Sequence, residues 1–186
     1  MEDLRGMKLR FPSRQAGEGL KALGATPIGM PVPQVPEAMA QGVIDGAVVP
    51  WEVVPSIRLQ EMARYHIGIP GSPTFYSASM ILAMNPARYQ ALPADLKRVL
   101  DANSGEPAAL MAAKVWDEEG PKVEEMARRR GNSITEISEA EKARWVAATA
   151  PVTDSWVAQM RERSIDGAAL VEQTRGLVAR YGQGVS

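Results

Sequence analysis

Arg10 is the residue best suited to hold a charged small molecule. It lies in Met7-Lys-Leu-Arg-Phe11, a short run that reads as a strand ended by Pro12. In α/β sheets the carboxyl ends of strands face the ligand crevice. A guanidinium there can grip a carboxylate through two parallel hydrogen bonds, although a surface arginine paired with an acid fits the same position. Trp51 directly follows Pro50 and the apolar run Val43–Val49. An aromatic ring at such a point walls a ligand pocket or fills a core. Asp45 and Glu52 are candidate bases, but a carboxylate working at neutral pH needs a shifted pKa and a nearby partner. Asp45-Gly46 also reads as a turn and Glu52 as a helix-start residue.

The other reactive types are thin. The chain has no Cys and a single His, His66, which excludes disulfides, thiol nucleophiles and multi-histidine metal sites. His66 reads best as a partly buried, satisfied histidine. Gly17 and Gly19 fall inside a helix pattern, and no phosphate-binding glycine motif is present. Arg14 reads as solvent-exposed, and Arg128-Arg-Arg130 as the last turn of a helix, where cations complement the dipole. No cofactor is implied.

Composition narrows the class further. The 186 residues are 45% hydrophobic and 23% charged, which suits a folded globular domain. Twenty-one basic side chains against 22 acidic ones leave a net charge of −1, so nucleic acid is a poor partner. No apolar run approaches the ~20 residues of a membrane span, so no membrane insertion is expected. The opening Met1-Glu-Asp-Leu-Arg-Gly-Met-Lys lacks the basic and apolar segments of a secretory leader and reads like the interior of a domain.

The elements that must position these residues fall into two textures meeting near Asn85. Before it, short apolar runs alternate with turn residues. Lys8–Phe11 reads as a strand, followed by a helix capped by Ser13 and running to about Leu23, with Gly24 as its stop. Thr26–Met30 reads as a second strand, and residues 33–41 as a short helix. Val43–Val49 reads as a third strand buried on both faces. Trp51–Arg64 reads as a helix that Pro55 either starts or breaks, and Thr74–Met84 as a longer strand. After Asn85 the composition is helical. A helix start at Asn85-Pro86 leads to one long helix from about Pro93 to Arg130, bent at Pro107 and Pro121. A strand at Ser133–Ile137 precedes a capping box, Ser138 with Glu141. Its helix carries Trp145, Ala148, Val152 and Trp156, the two tryptophans reading as core, and a last helix covers Asp166–Tyr181. This order implies an α/β architecture with parallel pairing.

Several ordered motifs carry a family resemblance. Asp3-Leu-Arg-Gly-Met-Lys-Leu-Arg-Phe-Pro12, Leu23-Gly-Ala-Thr-Pro-Ile-Gly-Met-Pro31 and Ala38-Met-Ala-Gln-Gly-Val-Ile-Asp-Gly46 are similar to consecutive segments of the solute-binding proteins of tripartite ATP-independent periplasmic (TRAP) transporters. Leu82-Ala-Met-Asn85 and Leu92-Pro-Ala-Asp-Leu96 continue the match in order.

The resemblance implies a periplasmic-binding-protein type II-like fold, with the second lobe, hinge strands and C-terminal helices present and the first lobe largely missing. Residues 1–72 would be the second lobe, and residues 73–186 a hinge-crossing strand, long helix and C-terminal helices completing the first. It implies a periplasmic, non-enzymatic protein that captures an organic acid and delivers it to the membrane subunits of an ion-coupled TRAP transporter. The chain would then be a fragment or a truncated gene product. The carboxylate-binding arginine falls on Arg10, with Val32, Val49 and Trp51 shaping the pocket and Phe75 and Tyr76 supplying the facing wall. Many members have an aromatic residue where this chain has Val32 and an Asn where it has Val49. A less polar or aromatic acid therefore fits better than a sugar acid. Two rivals stand beside this reading: a small α/β enzyme using Asp45 or Glu52 as base, and a non-binding remnant.

Overall fold

Strand β1, Lys8–Phe11, is the middle of a three-stranded parallel sheet, with β2 (Thr26–Gly29) on one side and β3 (Gly46–Ala47) on the other. The computed structural model describes residues 1–71, 74–77 and 80–182. Arg10 sits opposite Ile28 of β2 and Ala47 of β3. Helix α1 (Arg14–Ala22) makes the first crossover. Its N-terminus is closed by Ser13, whose hydroxyl accepts from the Ala16 amide at 3.3 Å. Gly24, with φ of +93°, turns the chain out of α1 toward β2, a conformation a side chain would strain.

Alternation along the strands sends side chains to two separate clusters. Leu9 and Phe11 face α1, where Leu4, Leu20, Leu23 and Ala25 are buried and Trp145 and Ala148 close the far side. Ile28 and Ala47 face the other way, into a cluster built on Val35, Ala38, Ile44, Val54, Leu59 and Val123. Helix α2 (Val35–Ala40) and the four-residue α3 (Leu59–Met62) supply most of that second layer.

Beyond α3, strand β4 (Tyr65–Gly68) pairs in parallel with β5 (Ser133–Glu136). Between them lie α4 (Pro86–Gln90), α5 (Ala94–Ala102) and the 24-residue α6 (Glu106–Arg129), which buries Val123 and Ala127. Two more helices follow β5. Helix α7 (Glu139–Glu162) lies against α1, and α8 (Gly167–Tyr181) folds back on α7. All strand pairs are parallel, as the element order implies.

Several elements differ from the sequence expectation. The third strand is only Gly46–Ala47 and is not buried on both faces, because it is the sheet's edge and Val43 is exposed. The expected helix at Trp51–Arg64 is broken into two 3₁₀ turns, Trp51–Val53 and Pro55–Ile57, and then α3. Pro55 lacks a donor, and Arg58 adopts a left-handed conformation at φ of 53°. The long helix from Pro93 is two helices. Asn103 ends α5, Gly105 turns the chain at φ of +66°, and Pro107 sits in the first turn of α6 rather than bending it. Pro121 does lie inside α6.

Among the described residues of Thr74–Met84 there is no strand; Ala78 and Ser79 lie outside the described residues. A strand exists only where a neighbour completes its backbone ladder, and the described part of this segment pairs with none. The capping box is half formed. The Ser138 hydroxyl accepts from the Glu141 amide at 3.1 Å, but the Glu141 carboxylate is taken by the Trp145 indole, Arg144 and the Met1 ammonium. Trp145 is core, packed edge-on against Phe75. Trp156 is not, and instead lines a groove of about 530 Å³ between α1 and α7.

Candidate functional site

Arg10 is only 6% exposed, and its guanidinium lies across the C-terminal ends of the three strands. Nε donates to the Met30 carbonyl at 3.1 Å, just past β2. Nη1 donates to the Val48 carbonyl at 2.9 Å, just past β3. Main-chain pairing reinforces the second contact, since the Val48 amide donates to the Arg10 carbonyl at 3.0 Å. The two flanking strand exits therefore fix the plane of the guanidinium and, among the described residues, leave further Nη donors without a partner.

Those partners are neutral. Among the described residues no carboxylate pairs with Arg10. Burial pushes its pKa below the ordinary arginine range, with a nearby Tyr76 acting in the opposite direction. A buried cation held by carbonyls alone has an unmet demand for an anion.

Tyr76 shares this environment. Its hydroxyl is buried and has no hydrogen-bond partner among the described residues. Burial pushes the phenol pKa up, Arg10 pulls it down, and Glu52 pushes it up again. A guanidinium with spare donors and an unpartnered hydroxyl thus lie near one another at the sheet's C-terminal edge.

The strand exits also bring in the other expected pocket residues. Val32 opens the 3₁₀ turn two positions after Met30, and Val49 follows Val48. Both Val49 and Trp51 pack against the Val35–Val54 cluster on the Arg10 side of the sheet. The Trp51 ring is 5.2 Å from that of His66, tilted by 36°. Phe75 points elsewhere. It packs in the cluster under α1 and α7, against Trp145 and over Gly19. The structure therefore places Arg10, Val49 and Trp51 on one side of the sheet with Tyr76 near Arg10, starts the turn after β2 at Val32, and sets Phe75 in the opposite core.

The candidate bases have other partners. Asp45 extends the β1–β3 pairing: its carboxylate accepts from the Lys8 amide at 2.8 Å and its own amide donates to the Lys8 carbonyl at 2.7 Å. Glu52 is half-buried near Tyr76. His66 is half-buried, and burial pushes its pKa below the ordinary range. Among the described residues no cluster of three or more His, Asp or Glu could hold a metal, and no helix is long and apolar enough to cross a membrane.

Sequence reasoning does not reach the Met30 and Val48 carbonyls, because any residue type supplies a carbonyl. Nor does it single out Asn132, whose side-chain contacts span 66 to 72 residues of chain.

The pattern of the family described as "Bacterial extracellular solute-binding protein, family 7" matches residues 1–160. The chain belongs to that family, and its fold is the type II periplasmic-binding-protein fold. A marine metagenome TRAP solute binding protein "specific for aromatic acid ligands", solved with metahydroxyphenylacetate, superposes with a TM-score of 0.92 at 38% identity. That match covers 97% of this chain and 57% of the other. A TRAP solute binding protein from Rhodoferax ferrireducens T118, in complex with copurified benzoate, gives the same TM-score and identity over 98% of this chain and 57% of that one. A solute-binding protein of Verminephrobacter eiseniae is 31% identical over 175 residues, which is 93% of this chain and 48% of that protein. The chain thus spans about half the length of the curated relatives it matches.

Proposed function

We propose that this chain is the carboxylate-anchoring part of an extracytoplasmic solute-binding protein, and that its ligand is a small aromatic acid. Arg10 is the anchor: its spare Nη donors meet the carboxylate, and the Tyr76 hydroxyl donates a further hydrogen bond beside it. Val32 and Val49 make the wall apolar, and Trp51 supplies an aromatic face. The carrying observation is the buried Arg10 guanidinium, which has two neutral carbonyls and no acid among the described residues. Two solved relatives bind aromatic acids, which supports the ligand class.

In this reading residues 1–72 form the second lobe of a two-lobe binder and residues 73–186 complete the first. Phe75 then serves as packing behind the wall rather than as ligand contact. The bound acid is handed, in the periplasm, to the membrane subunits of an ion-coupled TRAP transporter. No catalytic step is involved.

The test is a titration of the chain with benzoate, 3-hydroxybenzoate and glucuronate, followed by NMR so that weak binding registers. The aromatic acids are expected to bind and glucuronate to bind less well. Arg10→Ala is expected to weaken benzoate binding at least ~100-fold, since two charged hydrogen bonds are each worth about 1.5–3 kcal/mol. Arg10→Lys keeps the charge but not the planar fork, and is expected to recover only part of the affinity. Binding that survives Arg10→Ala removes the anchor, and tighter binding of glucuronate than of benzoate removes the ligand class.

A further inference from the structure

Segments distant in the chain meet around His66. Its ring stands 5.2 Å from the Trp51 ring, and its Nε2 lies 3.1 Å from Asn132 Nδ2. The same Nδ2 donates to the Gln60 carbonyl at 2.8 Å and the Ala63 carbonyl at 3.1 Å. Those carbonyls accept only, so they fix which way the amide faces. The two Nδ2 hydrogens are shared among the two carbonyls and His66 Nε2, so the His66 contact fixes where the ring sits and leaves its tautomer unassigned.

Asn132 is itself firmly placed. Its amide donates to the Ala127 carbonyl at 3.1 Å, closing the end of α6. The next amide, that of Ser133, donates to the Arg64 carbonyl at 2.8 Å and begins the β4–β5 pairing. Trp51, by contrast, sits in a single 3₁₀ turn behind Pro50 and is half-buried. Among the described residues its indole makes no hydrogen bond, and its ring is held by packing alone, against the Val35–Val54 cluster and the His66 ring.

We propose that His66, held by Asn132, is a positioning residue that sets the angle of the Trp51 ring and so shapes the aromatic-acid wall beside Arg10. The ligand wall is thereby tied to the β4–β5 strand pair. This inference rests on reading Trp51 as part of the ligand wall, and its test separates the two ideas.

Benzoate is the probe. His66→Ala is expected to weaken its binding about tenfold, the scale of one strong side-chain coupling. His66→Phe keeps an aromatic ring against Trp51 and is expected to recover most of the loss. In a Trp51→Ala background, His66→Ala is expected to add nothing, because its effect passes through the indole. The Trp51 contribution to near-ultraviolet circular dichroism, taken as parent minus Trp51→Phe, is expected to change in His66→Ala and Asn132→Ala and to return in His66→Phe. Equal losses with and without Trp51, or an unchanged Trp51 signal, overturn the proposal. If the parent chain takes up no benzoate, the ligand reading fails, and the Trp51 signal alone decides the positioning role. If His66→Ala does not fold, His66→Gln takes its place.

Discussion

The β1–β3 sheet with its two helical layers and the stretch from Met80 through α6 use similar apolar residues to opposite effect. In the first region Leu9, Leu20, Leu23, Val35 and Ile44 are buried. In the second, Ile81 is 86% and Leu82 89% exposed, and Val99, Met111 and Val115 also face outward. Monomeric proteins seldom leave so many large apolar side chains uncovered. Hydrophobicity alone does not decide burial, because a side chain is buried only where another surface meets it.

The sharpest way to break that contrast is to truncate one leucine in each region. Leu20 is 3% exposed in the core under α1, so Leu20→Ala is expected to cost about 2–5 kcal/mol of unfolding free energy. Leu82→Ala is expected to change it by no more than ~0.5 kcal/mol. Leu82→Asp is expected to leave folding intact and reduce self-association in light scattering, because large exposed apolar patches promote association. Comparable losses of stability from Leu20→Ala and Leu82→Ala in chemical denaturation would show that the two regions do not differ as described.

The same contrast explains what the sequence made legible. Signals that act within a few residues read true: the cap at Ser13, the stop at Gly24 and the helix start at Asn85-Pro86. Errors came where a distant partner decides. Strand β4 was missed although its partner β5 was read, because Tyr65 and Ile67 are exposed and only the pairing with that distant partner makes the segment a strand. Thr74–Met84 has strand-like residues, but its described part pairs with no neighbour. The break at Asn103-Ser-Gly105 was available in the sequence, since a Gly with Pro two positions later, at Pro107, marks a new helix start rather than a bend. Arg10's place on the first strand was legible in the chain, whereas its carbonyl partners and the packing of Phe75 against Trp145 depend on how the layers stack.

Helix caps sharpen the comparison at smaller magnitude. Ser13 closes α1 inside the packed region, so Ser13→Ala is expected to lower global stability by about 1 kcal/mol. Asn85 closes α4 on the exposed side, where its Oδ1 accepts from the Ala87 amide at 2.9 Å and the Arg88 amide at 3.3 Å. Asn85→Ala removes a cap of the same strength, but α4 buries none of its residues, so only local opening is expected to respond. Hydrogen exchange distinguishes the two. Ser13→Ala should speed exchange of the slowest amides across β1 and α1, and Asn85→Ala only that of α4.

The smallest expected effect sits where the two regions join, at His66 on β4. Burial pushes its imidazole below the ordinary value of 6.5, outweighing an upward pull from the Ala63 carbonyl. The unfolded chain therefore takes up this proton more readily than the folded one. Stability rises with pH wherever the unfolded state binds more protons, so the contribution is full above about pH 6.5 and is lost as the pH falls below it. His66 is the only histidine and the chain has no cysteine, so the other group bordering this window is the Met1 ammonium, which Glu141 pushes up from 8.0 and which the His66 variant leaves unchanged. Urea midpoints are expected to fall across that window for the parent chain and to stay flatter for His66→Gln. A parent-minus-His66→Gln difference in midpoint that rises on acidification would mean that His66 gains a proton more easily when folded, and that its environment is anionic rather than apolar.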